Sequence, residues 1–159
     1  MHAMLRIILL VSIMLTLGHK RYDPEVHHEI SKEQLVSFVK EARAFIKIYG
    51  KEEALREFND PKGLFVRGEL YIHANDFKCI VLASGRDAKL KGVDFAQLTD
   101  PNSTKICQDK VNILMKNPSG WLEYTFVHPK TNRLMKKLTY FERVDNENWY
   151  ISSGMYIEE

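Results

Sequence analysis

The sequence predicts an α+β fold, a five-stranded antiparallel sheet with one long N-terminal helix packed on one face. Three observations support this. Apolar residues recur at helical spacing over a single long stretch, 35–49. After Pro61 the pattern changes to short alternating or apolar runs separated by turn residues. The last three of those runs are joined by links too short for a parallel crossover. At 159 residues, with 45% hydrophobic and 28% charged side chains, the chain has the size and composition of one globular domain.

The first twenty residues stand apart. Arg6 and the amino terminus give a positive start, and Ile7 to Leu17 is an apolar run broken only by Ser12 and Thr16. Eleven helical residues span about 16 Å, roughly half a bilayer core, which suits the apolar region of a secretory signal peptide. Thr16-Leu17-Gly18 offers a small residue at its last position but not a full A-x-A. Residues 1–20 are therefore read as a signal peptide or a short membrane anchor. Either reading puts the rest of the chain outside the cytoplasm, periplasmic or secreted. Residues 21–30 form a polar connector with no periodicity, and its adjacent His27-His28 is read as solvated, with no metal site.

The long helix begins with recognisable chemistry. Ser31 is a good N-cap, Gln34 completes a capping box, and Ile30 and Leu35 are spaced as a hydrophobic staple. Leu35, Phe38, Val39, Ala42, Phe45, Ile46 and Tyr49 form one face; Lys40, Glu41, Arg43 and Lys47 take the other. Gly50 stops the helix, and a shorter one over Lys51 to Phe58 ends at Asn59-Asp60-Pro61. From Leu70 to Asn75 the alternation is strict, with Leu70, Ile72 and Ala74 on one side and Tyr71, His73 and Asn75 on the other. Cys79 to Ala83 is a second strand. Ser84 to Pro101 is loop-like, and Thr104 to Lys116 is a helix through Ile106, Cys107, Lys110, Val111 and Leu114. Strands at Trp121 to Val127, Leu134 to Val144 and Trp149 to Ile157 close the chain.

Several functions are argued against. The net charge of +2 comes from 23 basic and 21 acidic residues with no basic block of five, so nucleic acid is not an expected partner. No G-x-S-x-G, H-E-x-x-H, Walker loop or G-x-G-x-x-G occurs, so the chain is not expected to be an enzyme or to carry a cofactor. Cys79 and Cys107 are not in C-x-x-C spacing. A domain of this size needs no staple, so they are read as two small buried thiols, with a disulfide as the alternative if the chain is exported.

Polar and aromatic groups share strand faces instead. Tyr71 points the same way as His73, and Tyr124 the same way as Phe126. On the face opposite the long helix they would line a small-ligand pocket. Lys137 and Tyr140 follow on the next strand. They are three apart, so both face one ligand only if that strand bulges or one reaches in from its edge.

The ordered set Phe65-x-x-Gly68-Glu-Leu-Tyr71-x-x-x-Asn75-Asp76, Ile80-Val-Leu-Ala83, Lys91-Gly92-Val-Asp-Phe and Asp100-Pro-Asn resembles the single Cache family. So do Gly120-Trp-Leu-Glu-Tyr124-x-Phe126-x-x-Pro129, Lys137-Leu-Thr-Tyr140-Phe and Trp149-Tyr-Ile-x-Ser-Gly154-Met-Tyr156. The likeness runs from Ser31 to the C-terminus and implies a PAS-like extracytoplasmic sensor domain for a small organic anion such as a short carboxylate. It ties Tyr71, His73, Tyr124, Phe126, Lys137 and Tyr140 to the pocket, with Lys137 as the carboxylate partner. The chain departs from the family's habit at Ser84-Gly85, where His-Pro is frequent, and at His73, where another aromatic residue is common. The resemblance implies a membrane receptor as partner or a role as a binding protein, with no transmembrane helix or signalling segment expected after Glu159. The alternative is an interaction module that forms a homodimer through the N-terminal helix, with a vestigial pocket.

Overall fold

The computed structural model describes residues 30–145 and 147–157. The apolar run 7–17, the reading of residues 1–20 and the connector up to residue 29 lie outside the described residues. Among the described residues, no helix is long and apolar enough to cross a membrane.

Helix α1 (Lys32–Tyr49) starts as its sequence requires. The Ser31 hydroxyl accepts from the Gln34 N–H at 3.1 Å, and the Gln34 side chain accepts from the Ser31 N–H at 2.8 Å. Leu35, Phe38, Val39, Ala42 and Ile46 are buried, and α2 (Lys51–Phe58) adds Ala54 and Phe58 to the same core. Two residues depart from the expected faces. Tyr49 is largely exposed and rests on Phe45, with ring centroids 4.4 Å apart. Arg43, expected on the solvent side, reaches across to the sheet. It donates to the Arg143 carbonyl at 2.7 Å and pairs with Glu142 and Asp145. A guanidinium on a long stem can leave its helix face when carbonyls and carboxylates lie within reach.

The expected strand over 70–75 is split. Around Gly68, whose φ of +62° favours glycine, β1 (Val66–Arg67) and β2 (Leu70–Tyr71) form a small hairpin. The chain then enters the main sheet as β3 (His73–Asp76), followed by β4 (Val81–Ser84). The alternation survives the split: Leu70, Ile72 and Ala74 are buried in the α1 core. A short 3₁₀ turn (Ala88–Leu90) and α3 (Ile106–Leu114) precede β5 (Ser119–Val127), β6 (Leu134–Arg143) and β7 (Trp149–Ile157). The sheet order is β4-β3-β7-β6-β5, antiparallel throughout, as expected.

Each sheet face has its own core. On one face Ile72, Ala74, Tyr140, Trp149 and Ile151 pack against α1. On the other, Phe141 and Tyr150 pack with Leu114 and Cys107 of α3. At Gly120 any side chain would meet Ile113 at 2.5 Å and the Phe141 ring at 2.9 Å, so the bare backbone lets the end of α3 close on β5.

The expectation of two free thiols is overturned, because Cys79 and Cys107 are joined in a disulfide with Cα atoms 5.9 Å apart. Folding brings the β3–β4 turn under the first turn of α3, a proximity that spacing in sequence does not reveal. In the chain-entropy account, closing a span of 28 residues is worth about 3–4 kcal/mol.

Phe38→Ala is expected to lower stability by about 3–5 kcal/mol, since the ring is only 2% exposed. Lys40→Ala, at an exposed position of α1, should stay within about 0.5 kcal/mol. Urea denaturation of both variants checks this, and equal losses would show that the buried face is wrongly assigned.

Candidate functional site

The α3 face of the sheet is only partly covered. A cavity of about 340 Å³ remains between the strands, α3 and the loop carrying the 3₁₀ turn. The uninterrupted pairing of β5, β6 and β7 sets its floor. Tyr124 lies directly across from Lys137, and Lys137 directly across from Tyr156, so the three share one face in a row. Lys137 is 4% exposed. Its Nζ donates to the Tyr71 hydroxyl at 2.9 Å and lies 4.8, 5.0 and 5.8 Å from the ring centres of Tyr71, Tyr156 and Phe126. Gly154 leaves room for the stem, because a Cβ there would sit 2.7 Å from Lys137 Cε. The Tyr124 hydroxyl accepts from Thr139 at 3.2 Å, and the His73 ring stacks on Phe95 with centroids 5.7 Å apart.

A second ammonium enters from the opposite wall. Lys110 of α3 is 4% exposed, and its Nζ lies 5.2 Å from the Tyr124 ring centre and 5.9 Å from that of Phe141. Among the described residues no carboxylate pairs with Lys110 or Lys137. Burial lowers the pKa of Lys110, and the charge of Lys137 lowers it further. Burial also works against charge on Lys137, but the oxygens of Tyr71, Tyr124 and Tyr156 outweigh it and leave its pKa above the ordinary value. Tyr124 shows the complementary effect: burial pushes its hydroxyl up, yet the two ammonium groups bring it below the usual phenol range. His73 is brought down to about 3, first by burial and then by Lys110 and Lys137, so it faces the cavity as a neutral ring.

Five of the six residues singled out in the sequence, Tyr71, His73, Tyr124, Phe126 and Lys137, line this cavity together. Tyr140 does not. The β6 register runs without a bulge, so a residue three positions from Lys137 lies on the opposite face. Tyr140 packs in the α1 core and donates to Glu142 at 2.7 Å. Lys110 was missed as a site residue. The available signal was a lysine on the apolar stripe of an amphipathic helix, where a charge has to be explained. Among the described residues no cluster of three or more metal-binding side chains occurs.

Residues 52–159 match the Cache domain family. That stretch opens at the second residue of α2, so α1 precedes it. Among solved structures, the chain is similar to a Cache chemosensory domain studied for carboxylic acid recognition, at 21% identity over 79% of this chain and 92% of that one, with a TM-score of 0.70. It is similar to a methyl-accepting chemotaxis protein from Vibrio parahaemolyticus RIMD 2210633, at 21% identity over 80% and 88% of the two chains, with a TM-score of 0.69. A periplasmic sensor domain of a chemotaxis protein aligns at 20% identity over 79% and 90%, with a TM-score of 0.62. No curated protein matches the chain. At these identities the structural likeness establishes the fold.

The neutral His73 generates a pH prediction. In the unfolded chain this imidazole binds a proton near its ordinary pKa of 6.5, whereas in the folded protein it stays neutral down to about 3. The unfolded state therefore gains protons first, and stability should fall as pH drops below 6.5, by about 1.4 kcal/mol per pH unit from this one group. His73→Phe should flatten that slope by about one proton relative to wild type. Denaturation midpoints across mildly acidic pH measure it, and an identical slope in the variant would show that His73 is protonated in the folded state.

Proposed function

The chain belongs to the Cache domain family, and on that premise we propose that it is an extracytoplasmic, non-catalytic sensor domain that binds a small organic anion such as a short carboxylate. The observation that carries the proposal is Lys137. Its ammonium is withdrawn from water onto a sheet face, where the described residues offer it a phenol oxygen and ring faces but no carboxylate. A buried cation is costly without a full counter-charge, and an anion in the cavity supplies one. The hydroxyls of Tyr71 and Tyr124 orient that anion beside Lys137. Phe126 and the stacked His73–Phe95 pair enclose its carbon end.

Two further facts support this reading. The chemosensory domain studied for carboxylic acid recognition shares the fold, as does the periplasmic sensor domain. The Cys79–Cys107 bond fits an oxidising compartment outside the cytoplasm. In this reading the partner that receives the signal is a membrane receptor.

A thermal-shift screen with short carboxylates and amino acids finds the ligand, which at a hundred times its dissociation constant adds about 2.7 kcal/mol of stability. Lys137→Met should then weaken binding by about 2–5 kcal/mol in calorimetric titration, because the anion loses its buried partner. Tyr124→Phe should cost about 0.5–1.5 kcal/mol, the net value of one hydrogen bond. Unchanged affinity in Lys137→Met removes the anion-partner role. A screen without any stabilising anion favours an interaction module built on α1.

A further inference from the structure

We propose that the cavity is built for a dianion, a short dicarboxylate, with one carboxylate received by Lys137 on the sheet and the other by Lys110 on α3. This deepens the proposed function and rests on it. The two ammonium groups enter from different elements. Lys137 stands on β6 among Tyr71, Phe126 and Tyr156, and Lys110 descends from α3 onto the rings of Tyr124 and Phe141. Each is 4% exposed, and both line the same cavity.

The charge count inside that cavity is unbalanced. Neither ammonium has a carboxylate partner among the described residues. The acid in the cavity wall, Asp87, is exposed at the rim, where its carboxylate already caps the 3₁₀ turn by accepting from the Lys89 N–H at 2.9 Å. Two like charges withdrawn into one pocket repel each other. A monoanion compensates one of them and leaves the other buried, whereas a dianion compensates both. A cavity of about 340 Å³ is at the lower end of the range for small-molecule sites, which suits a few carbons between two charged ends. Tyr124, whose ring faces Lys110 and whose neighbour across the strand is Lys137, lies where it contacts both ends of such a ligand.

The test compares succinate and butyrate, which share four carbons and differ by one carboxylate, in calorimetric titrations of the full chain near neutral pH. Wild type should bind succinate at least about tenfold more tightly, the least that a close charge pair contributes. Lys110→Met should weaken succinate far more than butyrate and bring the two to a similar level, whereas Lys137→Met should weaken both. Cooperative melting confirms that each variant folds, and Lys110→Gln, which keeps a polar end in the cavity, serves as the second variant at that position. Equal affinity for the two probes in wild type, or a preference for butyrate, overturns the dianion while the anion-sensor reading stands. A succinate preference that persists in a folded Lys110 variant overturns the role of Lys110 and with it the proposal. If neither probe nor any other carboxylate binds wild type, both readings fall together.

Discussion

Lys137 carries its ammonium onto the inner face of the central meander, and the α3 side of the sheet is arranged around that charge. Tyr124 and Tyr156 flank it on the neighbouring strands, Tyr71 accepts its hydrogen bond, and Gly154 gives up a side chain so that the stem can lie flat. A charge in that position cannot be covered by an apolar helix along its whole length, because it would be left unsolvated and unpaired. The consequence is a partly roofed face with a cavity. The α1 face closes into an apolar core, and the buried carboxylate of Glu142 beside it is met by Arg43 and the Tyr140 hydroxyl.

The roof itself is held by several independent devices. The disulfide fixes the first turn of α3 to the β3–β4 turn, and Gly120 lets its far end approach β5 and Phe141. Asp100 ties the preceding loop down. One carboxylate oxygen accepts from the N–H groups of Asn102 and Thr104 at 2.9 and 2.8 Å, and the other accepts from Thr125 on β5 at 2.8 Å. These restraints set the height at which Lys110 stands over the sheet.

Much of this was legible residue by residue. The Ser31–Gln34 capping box and the apolar stripe of α1 rest on local chemistry, which a sequence states directly. The pairing of Tyr71 with His73, and of Tyr124 with Phe126, follows from the two-residue period of a strand and held even where the strand was broken into β2 and β3. The same period already marked Tyr140 as doubtful. Only a bulge would have turned it toward Lys137, and the continuous register of β6 leaves it in the α1 core. Arg43 could not be placed from periodicity, because its head group lies several ångströms from the helix face that periodicity describes.

The sequence by itself determined the fold class, the element order and the side of each strand on which aromatic and polar groups stand. These are properties of period, propensity and local capping, and they need no knowledge of which segments meet. The tertiary structure alone decided the Cys79–Cys107 bond, the fit at Gly120 and the arrival of Lys110 opposite Lys137. Each depends on two segments distant in the chain arriving at one place at a particular height and angle. The hydrophobic pattern requires that such segments be buried; the packing of α3 on the sheet decides against what.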